Sequence, residues 1–210
     1  MSHAHIHFSD SKYTTNFLEP AVANKAYKNL QQEIQYVPRQ NLTFTIYGKT
    51  FPLPRDKAFY GDVDADGSYP LYRYGGKDYP PVQQWTPTLQ KLRDLIHEKT
   101  GHFCNHVVVN KYVNGNDHIG LHKDKTRDFV NDAAVCTLSF GGTRILRLKH
   151  DQTGVNKDFD LEHNSLFILG SETNANYKHS IVKTSQDCDI RVSLTFRNIA
   201  TRADRQGKVL

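Results

Sequence analysis

The sequence of 210 residues predicts an α+β fold, a sandwich, jelly roll or barrel of short strands buttressed on one face by two helices. Two observations lead there. After residue 105 the chain is almost continuous strand signal broken by turn residues, and ahead of that run lie two apolar stripes at helical period. The length suits one well-buried domain, and neither an internal repeat nor a Pro/Ser-rich linker divides the chain.

Taken in order, residues 1–12 read as a flexible tail, whose His3, His5 and His7 either capture a stray divalent metal or are simply solvated. A single domain is expected over 13–199. Val22, Ala26, Leu30 and Ile34 recur about every four residues and predict a helix within 20–36, with Pro20 in its first turn, where a missing N–H costs nothing. Leu42–Tyr47 alternates like a strand, Gly48 and Lys49 suit a hairpin turn, and Phe51–Arg55 returns. The stretch 59–81, rich in Tyr, Gly, Asp and Pro, reads as an ordered loop region rather than a core element. Thr86 as N-cap, Pro87 just inside, Leu89, Leu92, Leu95 and Ile96 as the buried face and Gly101 as terminator define a second helix. Strands are predicted at His106–Tyr112, Ala134–Phe140, Arg144–Lys149, Phe159–Leu161, Ser165–Leu169, Ser180–Lys183 and Asp189–Ile199. The basic stretch 200–210 is expected to fray.

Composition narrows the class. Hydrophobic residues at 38% and charged residues at 23% suit a soluble globular protein, and no apolar run approaches the roughly 18 to 20 residues that span a bilayer. The N-terminus lacks the basic stretch and apolar core of a signal peptide, and Cys104, Cys136 and Cys188 are odd in number with no CxxC pair. A reducing interior, cytoplasm or nucleus, is therefore expected, with no disulfide framework and no zinc ribbon. A monomer is expected. The net charge of +5 and pI near 9.0 permit a polyanionic partner without requiring one.

Two features carry chemistry. His122-x-Asp124 places an imidazole and a carboxylate on the same side of an extended segment, about 6 to 7 Å apart at their Cα atoms, and His179 near the start of a later strand can supply a third ligand. Two histidines and one carboxylate leave coordination positions open, the facial arrangement of non-haem iron(II) oxygenases. An HxD pair alone also fits a surface histidine beside an aspartate. The terminal strand points Val192, Leu194 and Phe196 one way and Arg191, Ser193, Thr195 and Arg197 the other. Two inward arginines would each need an anion, and with Cα atoms about 20 Å apart their forks could close on a small dicarboxylate from opposite ends. The same pattern fits an exposed face bearing ordinary charges.

HxD, a later His and an RxxxxxR strand in this order resemble the AlkB family of nucleic-acid dealkylating oxygenases, over roughly residues 42 to 199. Asn110-Lys111-Tyr112 is similar to the family's N-x-Y strand, and Ser193-Leu194-Thr195-Phe196-Arg197 to its terminal strand. The resemblance implies a double-stranded β-helix (jelly roll) core over 105–199, N-terminal buttressing helices, and a nucleotide-recognition hairpin and lid over 43–81. It implies Fe(II) held by His122, Asp124 and His179, O2, and 2-oxoglutarate held by Asn110, Tyr112, Arg191, Ser193 and Arg197. Upstream, Phe44–Lys49 with Pro54-Arg55 resembles the hairpin of the duplex-DNA repair branch, with Tyr47 at the finger position, and Tyr72-Arg73-Tyr74-Gly75 resembles the lid. Arg55, Tyr72 and Tyr74 are the further substrate-binding residues so implied, although 59–81 fits equally a Tyr-rich loop packed on the sheet.

The activity implied is oxidative demethylation of 1-methyladenine and 3-methylcytosine in DNA, or in RNA. The sequence departs from the family at two points. Thr126 stands where the repair enzymes carry a base-reading carboxylate, with Asp128 as the candidate substitute, and Ser193 stands where the family usually has Asn. Thr126 brings no charge, so hydroxylation of another substrate, such as an unmodified base, a protein side chain or a small molecule, is the alternative within the same fold.

Overall fold

The computed structural model describes residues 9–74 and 81–210, so His3, His5 and His7 and the part of the expected lid over 75–80 lie outside the described residues. In chain order the elements are β1 (Lys12–Thr14), α1 (Pro20–Glu33), β2 (Thr43–Ile46), β3 (Lys49–Pro52), β4 (Asp56–Gly61), β5 (Tyr69–Pro70), β6 (Gln83–Gln84) and α2 (Pro87–Thr100). They continue with β7 (His106–Tyr112), β8 (Ile119–His122), β9 (Val135–Gly141), β10 (Arg144–His150), β11 (Asn156–Leu161), β12 (Ser165–Leu169), α3 (Ser171–Asn176), β13 (Tyr177–Ile181), β14 (Arg191–Arg197) and β15 (Arg202–Ala203).

Alternation along the strands explains how these pack. Among the described residues, a seven-stranded sheet runs β1-β12-β9-β14-β7-β4-β6 and a four-stranded sheet runs β11-β10-β13-β8. One face of the larger sheet sends Val107, Val109, Cys136, Leu138, Val192, Leu194 and Phe196 into a core shared with Ala23, Ala26 and Leu30 of α1 and Leu89, Leu92 and Ile96 of α2. The other face sends Val108, Tyr112, Val135 and Phe167 towards Leu146, Leu148, Leu161 and Ile181 of the smaller sheet. This is the jelly roll with buttressing helices that was expected. Both helices start at the expected prolines, Thr86 Oγ1 accepts from Leu89 N at 3.3 Å, and Gly101 ends α2 at φ 76°.

Several local expectations are corrected. The first hairpin turns at Tyr47 and Gly48, one residue before the expected pair, with Ile46 opposite Lys49. A two-residue turn of this hand needs positive φ at both positions, and Tyr47 (φ 46°) and Gly48 (φ 75°) provide it. The loop region expected from residue 59 begins too early, because β4 runs to Gly61 and buries Ala58, Phe59 and Tyr60 between β7 and β6. The charged pair Asp56-Lys57 at its start hid this strand.

The two expected tails are shorter than their stretches. Asp10 accepts from the N–H of Glu172 at 2.7 Å at the start of α3, Ser11 Oγ accepts from Gly170 N at 2.9 Å, and Lys12 opens β1 against β12. At the other end Arg202–Ala203 pairs with Tyr69–Pro70, and Ala203 is fully buried. Backbone pairing holds both segments where composition alone indicated fraying. Cys104, Cys136 and Cys188 are free thiols, as expected, and no described helix is long and apolar enough to cross a membrane.

Candidate active site

A cavity of about 500 Å³ opens between the two sheets. The register of the large sheet decides what faces it. Arg191 lies opposite Tyr112, Ser193 opposite Asn110 and Thr195 opposite Val108, while Asn110 lies in turn opposite Lys57. Strand pairing thereby gathers onto one face residues that are far apart in the chain.

The small sheet supplies the opposite wall. His122 ends β8 and pairs across the ladder with His179 of β13, bringing their ring centroids to 4.2 Å. Asp124 follows just beyond β8, and Asn174 clamps it. Asp124 N donates to Asn174 Oδ1 at 2.9 Å, and Asn174 Nδ2 donates to Asp124 O at 3.0 Å. One ligand atom from each of His122, Asp124 and His179 lies within 4.8 Å of the others. The HxD pair therefore faces the cavity and is no surface accident.

The protonation states suit metal binding. Burial favours the neutral imidazole of His122 and, with the His122 ring alongside, pushes His179 down to about 3. Burial opposes ionisation of Asp124, but Arg197, His179 and His122 outweigh it and hold the carboxyl well below the usual range. His122 Nδ1 lies 2.9 Å from Gly120 O, a contact that fixes a tautomer with Nε2 open to a metal. Two neutral imidazoles and one carboxylate fit Fe(II) with positions left for other ligands.

The two arginines of β14 are both buried, at 0% and 6% exposure, so the inward reading of that strand holds. They are not equivalent. Arg191 Nη2 donates to Ser139 Oγ at 2.9 Å and Ser193 Oγ at 3.2 Å, while its Nε and Nη1 are buried without a hydrogen-bond partner. Burial lowers its pKa to about 10. A buried guanidinium with two unsatisfied nitrogens fits a carboxylate ligand such as one end of 2-oxoglutarate. Arg197 instead donates through Nη2 to Asp124 at 3.0 Å, lies 4.6 Å over the Tyr72 ring, and keeps only Nε without a partner. The two arginines therefore differ: Arg191 is the more open fork, and Arg197 is turned onto Asp124.

The expected substrate residues separate. Tyr72 and Tyr74 line the cavity with ring centroids 4.8 Å apart, and Tyr72 Oη donates to Asp124 at 3.2 Å. Arg55 also lines it, donating to Asn110 Oδ1 at 3.0 Å and His118 O at 3.1 Å. Tyr47 stands fully exposed at the hairpin tip. Thr126 is exposed and does not line the cavity.

Asp128 does not reach the cavity either, which corrects its role as a substitute base reader. Its carboxylate is fully buried, accepts the N–H of Arg73 at 2.8 Å, and pairs with the Arg73 guanidinium. Burial alone would raise the Asp128 pKa, but its bonds to Arg73 bring it below the usual value. Asp128→Asn is expected to destabilise the protein by about 1 to 3 kcal/mol. A carboxyl whose pKa is depressed on folding stabilises above its unfolded value, so the difference from wild type should be present at neutral pH and shrink as pH falls below about 4. Urea titrations of both proteins across that range would show it.

Lys57 and Asn174 were missed. Lys57 lines the cavity, donates to Tyr74 Oη at 2.8 Å and lies 4.6 Å from that ring's centroid. Burial, then Arg55 and Arg197, lower its pKa well below the lysine value. A lysine two residues beyond Arg55, immediately ahead of the apolar Ala58, Phe59 and Tyr60, was the available signal.

Residues 10–197 match the family model of the 2OG-Fe(II) oxygenase superfamily. Mouse DNA oxidative demethylase ALKBH2 is 32% identical over 187 residues, covering 85% of this chain and 76% of the relative. The chain belongs to the AlkB family of these oxygenases. The human ALKBH2 protein is 31% identical, covering 90% of this chain and 73% of its own, and human alpha-ketoglutarate-dependent dioxygenase alkB homolog 3 is 30% identical, covering 81% and 60%. The solved structure of OsALKBH1 shares the fold, with a TM-score of 0.59 at 15% identity over 92% of this chain and 100% of that one. As an AlkB family member the protein is a dioxygenase that uses Fe(II), 2-oxoglutarate and O2.

Proposed function

We propose that this AlkB family dioxygenase removes N-alkyl groups oxidatively from bases in nucleic acid, DNA above all, with 1-methyladenine and 3-methylcytosine as the members of that class its sequence resemblance implies. The observation that carries the reading is the metal-competent triad set at a cavity walled by the open fork of Arg191 and the Tyr72–Tyr74 pair. The ALKBH2 relatives are named DNA oxidative demethylases, which supports the same class of substrate.

In this reading His122, Asp124 and His179 hold Fe(II), which with O2 and 2-oxoglutarate supplies the oxidation of an unactivated C–H bond. Arg191 receives one carboxylate of 2-oxoglutarate, helped by Ser193, Asn110 and Tyr112 around it. Arg197 keeps Asp124 ionised and fixed. Asn174 holds the Asp124 backbone so that the carboxylate meets the two imidazoles. A base must leave its stack to reach this depth, at a cost of a few kcal/mol. Tyr72 and Tyr74 offset part of it at about 1 to 3 kcal/mol per stacked base.

The test is incubation of the purified protein with Fe(II), ascorbate, 2-oxoglutarate and single- and double-stranded oligonucleotides carrying one N-methyl base. Formaldehyde and succinate should form in equal amounts as the lesion disappears. Succinate formation with no loss of methyl from any oligonucleotide would move the assignment to an oxygenase of another substrate.

Tyr47, exposed on a tight hairpin, has the position of a wedge that fills the gap left by an extruded base. Tyr47→Ala is expected to slow duplex substrates by about 5- to 100-fold, one stacking contact's worth, and to spare single strands. Equal loss on both would remove the wedge role.

A further inference from the structure

Basic side chains outnumber acidic ones among the described residues that line the cavity. Among the described residues that line it, Arg55, Lys57, Lys123, Arg191 and Arg197 are basic, Lys123 being paired with Asp151, and Asp124 is the sole carboxylate. Asp124 already receives Arg197 and Tyr72 and belongs to the triad. Thr126 and Asp128, the two positions from which a base-reading carboxylate was expected, do not line the cavity, and Asp128 is committed to Arg73.

Lys57 occupies the place that matters for a base. It faces the cavity from β4, in register with Asn110, and its Nζ donates to Tyr74 Oη at 2.8 Å, beside the tyrosine pair read above as the platform for an extruded base. A base stacked there meets an amine that donates hydrogen bonds in either protonation state.

The N-methylated bases divide on this point. 1-Methyladenine and 3-methylcytosine carry a positive charge, and an exocyclic nitrogen donor stands beside the methylated nitrogen. Against Lys57 they would set donor against donor, and cation against the surrounding cations. 3-Methylthymine and 1-methylguanine are neutral, and a carbonyl oxygen flanks the methylated nitrogen, so they offer the acceptor that an amine seeks.

We propose that Lys57 is a specificity-determining residue that turns this cavity towards neutral N-methylated bases with a carbonyl oxygen beside the methylated nitrogen, and away from the cationic lesions. The inference rests on the demethylase reading above and revises the ranking of substrates within it. The chemistry balances without any further reagent. One atom of O2 enters a methyl C–H bond and the other enters succinate, two electrons coming from the methyl group and two from the decarboxylation of 2-oxoglutarate. The N-hydroxymethyl group then loses its O–H proton, the C–N bond breaks, formaldehyde leaves, and the electron pair stays on the lactam nitrogen, which takes up a proton. With a neutral lesion that departing lactam is an anion delocalised onto the flanking carbonyl oxygen, which a donor at Lys57 stabilises. A cationic lesion departs as a neutral base and gains nothing from it.

The experiment uses the full chain with Fe(II), 2-oxoglutarate and O2 and four oligonucleotides identical except for one lesion each: 3-methylthymine, 1-methylguanine, 1-methyladenine and 3-methylcytosine. Mass spectrometry follows loss of each methyl group, and competition binding without iron or 2-oxoglutarate ranks affinity. The carbonyl-bearing pair is expected to lead the cationic pair by about 10- to 100-fold in kcat/KM, the worth of one hydrogen bond to a charged group, and to lead in binding. Lys57→Gln should bring the ratio towards one, and because the ratio is internal to each protein it survives partial loss of folded enzyme. A preference for the cationic pair in the wild type, or a ratio unchanged by Lys57→Gln, overturns the role of Lys57 and leaves the demethylase reading intact. No turnover of any of the four lesions overturns both.

Discussion

Asp124→Ala is expected to abolish 2-oxoglutarate turnover and to destabilise the fold at the same time. Asp124 is the sole carboxylate of the triad, and its backbone is already positioned by Asn174, so truncation takes away the carboxylate proposed to hold the metal. Loss of turnover should exceed the roughly 100-fold that removing an outer hydrogen bond costs a metal site. Independently, Arg197 would stay buried with its anion gone, a change that costs about 3 to 5 kcal/mol when one partner of a buried pair is deleted. Co(II) titration by absorbance reads the first effect and urea unfolding reads the second. Near-normal turnover would remove Asp124 from the metal site. A large loss of turnover with unchanged stability would mean that the Arg197 contact contributes little.

Arg191→Met should separate function from stability in the opposite sense. The wild-type guanidinium is wholly buried, and its Nε and Nη1 have no protein partner, so its charge is held at a desolvation cost. Replacing such a charge with an apolar side chain of similar size is often neutral or stabilising by about 1 to 4 kcal/mol. The KM for 2-oxoglutarate should rise by on the order of 100-fold, since truncating one member of a buried charge pair costs about 2 to 5 kcal/mol of binding. Added 2-oxoglutarate should raise the melting temperature of the wild type and leave that of the variant unchanged. A variant that is less stable and keeps its KM would make Arg191 a structural residue.

Much of this site was legible before any coordinates. The alternation in β14 puts Val192, Leu194 and Phe196 on one side and Arg191 and Arg197 on the other, because an extended strand has two sides, and the structure turns the second side to the cavity rather than to solvent. Prolines and caps located α1 and α2 for equally local reasons. Strand β4 was harder to see. Its side chains are buried on both faces, so it shows no alternation, and Lys57 made it resemble a polar loop.

The sequence by itself determined a fold of short strands with two buttressing helices, the HxD pair, and the placing of two arginines on one side of the terminal strand, while the jelly roll and the third ligand came from the family resemblance. The elements and the side of the strand depend on period and capping, which are properties of neighbouring residues. Only the tertiary structure decided that His179 faces His122 across a strand pair, that Arg197 takes Asp124 while Arg191 stays open, and that Asp128 serves Arg73 rather than the cavity. The physical reason is the same in each case. Periodicity says which side of a strand a charge lies on, but which counter-charge it meets depends on strand register and on competition among buried anions, and both are set by contacts between residues 50 or more positions apart.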